Sequence, residues 1–270
     1  MQLLVTGGAG YLGSEVARLA VERGWHVIAT QLEHAPPYGR PERVDLRSEG
    51  EAARCFLTHR PEVVIHTAYR QGDDAVWDSV VTASRNTALA AAHAGSRLLH
   101  LSTDLVFDGE KPGRYTEADE PRPVSVYGQA KLAAEQAVSR ICRRSLIVRT
   151  SLLYGKPGPQ EALALRSDVE FYTDEIRTPV RVVELAAALL ELAESELEGT
   201  LHVAGPDAVS RYDFASMLAA SQGRDPDEIR GRPSPRGVRA RNVALDSSRA
   251  YGLLRTPIHG IDSFGPDAVS

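Results

Sequence analysis

An apolar stretch, Gln2–Thr6, runs directly into Gly7-Gly8-Ala9-Gly10-Tyr11-Leu12-Gly13. The residues that follow, to Arg23, carry Leu12, Val16, Leu19 and Ala20 on one helical face, and Gly24 ends them. Strand, glycine turn and helix in immediate succession leave few folds open. The run satisfies Gly8-x-Gly10-x-x-Gly13 and also Gly7-x-x-Gly10-x-x-Gly13. At the head of a β-α-β unit, such glycines allow a tight turn and let the backbone approach a pyrophosphate. Gly13 lets the helix seat closely on the strand, and the helix N-terminus offers free N–H groups and a partial positive charge. Elsewhere the same heptapeptide would be a plain turn, so its position gives it meaning.

The rest of the first half repeats the alternation. Trp25–Thr30 reads as a second strand, and Arg43–Leu46 as a short third after a Pro/Gly-rich loop at Ala35–Pro41. Ser48 caps a helix that runs to about Arg60 and is stopped by Pro61. Glu62–Ala68 is a strand, Asp73–Ala94 a long helix, Arg97–Thr103 a strand, Ser125–Ile141 a helix and Ser145–Ser151 a strand. Runs such as Val63-Val64-Ile65 suit a sheet buried on both faces. The expectation is an α/β fold, a Rossmann-type doubly wound parallel sheet with a small C-terminal substrate lobe. After Ser151 the elements shorten: helices near 160–166, 182–195 and 211–222, strands near 169–173 and 200–204, and a loop over Gly231–Gly237. The division expected is 1–151 for the dinucleotide-binding domain and 152–270 for the lobe, with the chain free to cross between them.

Composition narrows the function classes. With 43% apolar and 25% charged residues in 270, the chain is an ordinary globular one. A net charge of -5 argues against a nucleic-acid partner. No stretch has the length of a membrane span, and no targeting segment is visible, so a cytoplasmic protein is expected. Cys55 and Cys142 lack partners at zinc or redox spacing; they read as buried thiols of a reducing compartment, and no metal site is expected.

A nicotinamide enzyme selective for NAD carries an acid at the end of its second strand for the ribose 2′-hydroxyl. Here that place holds Thr30 and Gln31, with Glu33 and His34 just beyond. NADP is therefore the expected cofactor, NAD the alternative, and Arg40 or Arg43 can fold back toward a 2′-phosphate. Asp45, following a strand, is placed to meet the adenine, or else serves as a surface or capping acid.

Tyr127-Gly128-Gln129-Ala130-Lys131 begins a helix, so phenol and ammonium share one face. A free phenol, with a pKa of roughly 10, exchanges protons poorly near neutrality, and an adjacent ammonium lowers that value. The tyrosine can then protonate a carbonyl oxygen as hydride reaches its carbon. Lysine is scarce in this chain: only Lys111, Lys131 and Lys156 among the 31 basic residues, leaving 28 arginines. A lysine kept here is therefore informative, since arginine offers neither the same pKa nor the same geometry. Ser102-Thr103-Asp104 ends the fifth strand, where such sheets bind ligands; either hydroxyl can donate to the carbonyl, and alternation lets only one face the cleft.

Taken together, these motifs resemble the extended short-chain dehydrogenase/reductases, and most closely their dTDP-4-dehydrorhamnose reductase (RmlD-type) branch. The matching pieces are Gly7–Gly13, Val64-Ile65-His66-Thr67-Ala68-Tyr69, Asn86, Ser102-Thr103-Asp104-Leu105-Val106-Phe107-Asp108-Gly109, Val126–Leu132, Arg149-Thr150-Ser151, His202–Gly205 and Asn242–Ser248. The resemblance implies Thr103 as catalytic hydroxyl, Tyr127 as acid/base and Lys131 as its partner. It implies cofactor contacts from Gly7, Gly10, Tyr11, Leu12, Gly13, Gln31, Asp45, Leu46, Thr67, Ala68, Tyr69, Ser102 and Lys131. Asp104, Arg177 and Pro179 would face the substrate. Leu105 and Leu152 stand where the family usually has aromatics, and the 155–174 segment is short.

The expected activity is NAD(P)H-dependent reduction of a ketone, a 4-keto group of a nucleotide-linked deoxysugar or a related metabolite. Two alternatives stay open: an epimerase or dehydratase of the same superfamily, and a non-catalytic NADP-binding regulatory subunit. The partner expected is a small molecule. The helices at 73–94 and 125–141 are candidates for a homodimer bundle.

Overall fold

A computed structural model describes residues 1–69, 76–235 and 239–261. Seven strands form one parallel sheet: β1 (Gln2–Thr6), β2 (His26–Gln31), β3 (Arg40–Arg43), β4 (Val63–His66), β5 (Arg97–Thr103), β6 (Ser145–Thr150) and β11 (Gly199–His202). Their spatial order is β11-β6-β5-β4-β1-β2-β3. The reversal between β1 and β4 is the switch point of a doubly wound sheet, and the crevice outside the strand ends there is where such sheets take ligands. The central strands are apolar on both faces, with Leu3, Leu4, Val64, Ile65, Leu98 and Leu99 fully buried.

The helices of this half are α1 (Tyr11–Glu22), α2 (Glu49–His59), α3 (Ala83–Ala94) and α4 (Val126–Ile141). Ser48 caps α2 as expected, its side chain accepting from the Glu51 N–H, and Arg60 closes it in a left-handed conformation at φ 43°. Two expectations are corrected. The third strand is Arg40–Arg43, earlier than 43–46, because those residues stand in register with β2, and the ladder ends where the Val44 N–H donates to the Gln31 carbonyl at 3.0 Å. The expected helix 73–94 enters α3 through a π-helical segment, Trp77–Thr82; its first residues, 73–75, lie outside the described ones.

The chain forms two compact units. The first is Met1–Thr103, Val126–Val148 and Ala186–Leu201; the second is Asp104–Ser125, Arg149–Leu185 and His202–Ser270. The chain thus passes between them several times, a crossing that the division at 151 had left open. The second unit contains β7 (Leu153–Tyr154), α5 (Pro159–Ala164), β8 (Glu170–Tyr172), β9 (Ile176–Arg177), β10 (Val180–Arg181), β12 (Val209–Ser210), α7 (Arg211–Ser221), β13 (Arg230–Arg232) and α8 (Ser248–Leu253); α6 (Val182–Ala193) begins in it. Its core joins Tyr154, Phe171, Phe214 and Leu218. The expected loop at 231–237 begins as strand, since Gly231 and Arg232 pair with Phe171 and Tyr172; residues 236–238 lie outside the described ones. Among the described residues no helix is long and apolar enough to cross a membrane.

Candidate active site

The glycine turn follows β1 and opens α1. Gly7 sits at φ +68°, and a Cβ on it would stand 2.9 Å from the Ala68 Cα. A Cβ on Gly13 would stand 2.2 Å from the Gly7 carbonyl oxygen and 2.8 Å from Thr67 Oγ1. Each glycine is required by a backbone neighbour that cannot move away, so the turn is as tight as a pyrophosphate cradle needs. Gly10 caps α1 with no side-chain hydrogen bond, which leaves the helix end to a ligand's oxygens. Thr67 is tied into the cradle: its Oγ1 donates to the Thr6 carbonyl at 2.6 Å, and its N–H to Thr6 Oγ1 at 3.1 Å.

At the end of β2, Gln31 has its Oε1 buried with no hydrogen-bond partner among the described residues. Asp45 follows β3 and is held by Arg47, Nη2 to Oδ2 at 2.7 Å; chiefly through that hydrogen bond its carboxyl lies below the usual range. Leu46 is buried, and the Asn86 side chain clamps the segment by donating to the Leu46 and Arg47 carbonyls at 3.0 Å each. An unpartnered acceptor, a Cβ-excluding turn and an uncapped helix end together fit a dinucleotide.

Ser102 and Thr103 end β5. Ser102 is buried, and its Oγ has no hydrogen-bond partner among the described residues; Thr103 is partly exposed. On α4, Tyr127 is partly exposed and Lys131 is buried one turn further on. The Tyr127 ring lies 5.9 Å from that of Tyr69, centroid to centroid. Lys131 Nζ donates to the Leu101 carbonyl, which pins the amine beside the end of β5. Burial pulls the lysine pKa down to about 8, against a smaller opposing effect from the Glu135 carboxylate one turn below.

Two histidines beneath this site went unremarked as functional groups in the sequence. His66 on β4 and His100 on β5 stack with centroids 5.3 Å apart. His66 bridges Thr6 Oγ1 at 2.7 Å and Ser84 Oγ at 3.1 Å. Burial first, then the Lys131 charge, pushes His66 down to about 3 and His100 well below the ordinary histidine range. The floor under Lys131 is thus neutral at working pH.

In the second unit, Asp104 is buried, accepts from Ser151 Oγ at 2.6 Å and lies 3.7 Å from Arg177 Nη1. Arg177 also approaches Glu175, fully buried, at 3.8 Å, and Arg239 Nε pairs with the other Glu175 oxygen. Burial, then the charge of Arg177, lowers Arg211 to about 10. Asp104 and Arg177, both expected to face substrate, thus lie beside one another. Pro179 is buried, its carbonyl against Gly205. Ser151, Glu175, Arg211 and Arg239 were missed as site residues, because only the fold reveals that they meet.

The glycine cradle, the sheet order and the serine–threonine and tyrosine–lysine positions define an NAD(P)-dependent oxidoreductase of the extended short-chain dehydrogenase/reductase class. More narrowly, the chain belongs to the family described as RmlD substrate binding domain, whose model matches residues 1–250. It is 34% identical to a probable low-salt glycan biosynthesis reductase of Haloferax volcanii, over 94% of this chain and 92% of that one. It is 32% identical to a dTDP-4-dehydrorhamnose reductase of Mycobacterium tuberculosis, over 93% and 86%. A solved structure described as a hypothetical dTDP-4-dehydrorhamnose reductase, from Sulfolobus tokodaii, superposes with TM-score 0.84 at 30% identity, over 97% and 98% of the two chains.

Proposed function

We propose that the protein reduces the keto group, a 4-keto group by the family resemblance, of a nucleotide-linked deoxysugar, with Tyr127 as proton donor. When bound, NADPH or NADH supplies the hydride. The observation that carries the reading is the burial of Lys131 one helical turn from Tyr127, tied to the Leu101 carbonyl. With a pKa of about 8, the lysine remains mainly an ammonium at neutral pH, and its charge favours the phenolate over the phenol. Tyr127 can therefore release its proton to a carbonyl oxygen at a pH where a free phenol would hold it. Thr103 donates to the same oxygen and fixes its orientation. Gly7, Gly10, Tyr11, Leu12 and Gly13 hold the diphosphate; Gln31, Asp45 and Leu46 line the adenosine end, and Thr67, Ala68, Tyr69 and Ser102 the reactive end. Asp104 and Arg177 receive the sugar nucleotide, with Pro179 shaping the backbone beside them.

The names of the relatives support a sugar-nucleotide substrate. The buried free thiols Cys55 and Cys142 support action in the cytoplasm. Half-exposed Trp77 and Val126, on the π-helical segment and α4, support a homodimer through those helices. A complete Thr103–Tyr127–Lys131 set favours turnover over the regulatory reading, which needs only cofactor binding.

The test is loss of reduced-nicotinamide absorbance with a panel of nucleotide-linked 4-keto-6-deoxysugars. At least one is expected to be turned over. Tight NADPH binding with no turnover of any of them would contradict the reductase reading and leave the regulatory one.

A further inference from the structure

We propose that Arg43 selects the cofactor by binding the 2′-phosphate of the adenine ribose, which makes this an NADP(H) protein. The inference rests on the glycine turn as a dinucleotide site and is independent of the proposed turnover. The parallel register of β2 and β3 sets Gln31 opposite Arg43. Partnered residues of a parallel pair project from the same face, and successive residues alternate. Two positions before Gln31, the Ala29 Cβ is 2.7 Å from where a Cβ on Gly8 would stand. Gln31 and Arg43 therefore leave the sheet on the face that carries the glycine turn. Glu42 leaves on the other, where its carboxylate meets His59 of α2 at 3.0 Å.

The end of the second strand is where a dinucleotide's adenine ribose is met. A carboxylate there accepts from a 2′-hydroxyl and repels a 2′-phosphate. Gln31 is uncharged, and its buried, unpartnered Oε1 suits a remaining ribose hydroxyl. Arg43 is exposed, and its guanidinium makes no ion pair or side-chain hydrogen bond among the described residues. Three acids lie nearby. Asp45 is held by Arg47, with Nε to Oδ1 at 2.9 Å and Nη2 to Oδ2 at 2.7 Å, while Glu33 and Asp78 act electrostatically on that same Arg47. Asp45 thus makes its hydrogen-bonded pair with Arg47 and feels Arg43 only through its charge, so the Arg43 donors stay open to a ligand phosphate, which a planar fork of donors fits well.

Calorimetric titration of the whole chain with 2′,5′-ADP and with ADP separates the phosphate from the rest of the dinucleotide. The unaltered protein is expected to bind 2′,5′-ADP at least about tenfold more tightly than ADP. Arg43→Ala should cost about 10- to 100-fold on 2′,5′-ADP and less than about twofold on ADP. Arg43→Gln, which keeps the side-chain bulk, should behave alike, and unchanged melting temperatures establish that both variants fold. Arg40→Ala, on the strand position opposite Ile28 and of the other parity, should leave both affinities unchanged. Equal binding of the two probes by the unaltered protein, or an Arg43 variant that weakens both alike or neither, would overturn the assignment. Binding of neither probe would overturn the dinucleotide site itself.

Discussion

Lys131 is the residue at which stability and the proposed chemistry pull in opposite directions. Its amine is buried, and its pKa falls from 10.5 to about 8. A depressed lysine is a cost to the folded state that is fully present below pH 8 and disappears as pH rises through the unfolded value; that gap corresponds to a cost on the order of 3 kcal/mol at neutral pH. Lys131→Met removes this cost and fills the space with an apolar chain, while leaving the Leu101 carbonyl unpaired. Denaturant unfolding at pH 7 is expected to show a protein stabilised by about 1–3 kcal/mol, with turnover reduced at least about 100-fold. A destabilised variant, or one with near-normal turnover, would contradict the role given to the amine. The residue was legible in the sequence because lysine is scarce there and sits four places after a tyrosine. Its tie to Leu101 and the neutral histidines beneath it were not, since both depend on which strands lie side by side.

At the scale of elements, β4 and β5 are joined by more than their backbone ladder. The strand alternation and the glycine turn were readable because period and turn chemistry are local. The pairing His66↔His100 is a matter of register, and no local pattern reports it. The same limit explains the third strand: Arg40–Arg43 is polar, and only its partner β2 makes it a strand. The stacked histidines give the two strands a pH dependence. Unfolded, each binds a proton below its ordinary value of 6.5; folded, His66 resists protonation to about 3, and His100 is also strongly depressed. Their stabilising effect is therefore present above 6.5 and lost as pH falls toward 3. Between pH 7 and 5 His66 alone should lose about 2 kcal/mol of stability, with His100 adding in the same direction, measurable by urea unfolding at the two pH values. His100→Leu, which replaces two unpartnered ring nitrogens by an apolar chain, should make that loss smaller. Equal stability at the two pH values would contradict the buried neutral pair.

Across the whole molecule, the change of rhythm at residue 151 marks where the elements shorten, while the sheet takes a further strand, β11, from beyond it. Asp104 and Ser125 bound a segment that belongs to the second unit, and Ala186–Leu201 returns to the first to supply β11. Such returns are invisible to composition, because each segment has the ordinary periodicity of its own element. Arg97 shows the same limit: fully buried at the start of β5, it donates to the Leu197 carbonyl, a hundred residues on. What the sequence did expose is the set of groups proposed for the site, Gly7–Gly13, Thr67–Tyr69, Ser102–Thr103 and Tyr127–Lys131, since strand ends and helix starts are local features and a doubly wound sheet takes its ligands outside the strand ends. The most direct measurement is single-turnover reduction of a nucleotide-linked 4-keto-6-deoxysugar by the NADPH-loaded protein and by Tyr127→Phe. With Tyr127 as proton donor, the variant's rate is expected to be at least about 100-fold lower, with NADPH affinity within about twofold of normal. A variant that reduces the sugar at close to the normal rate would contradict that role.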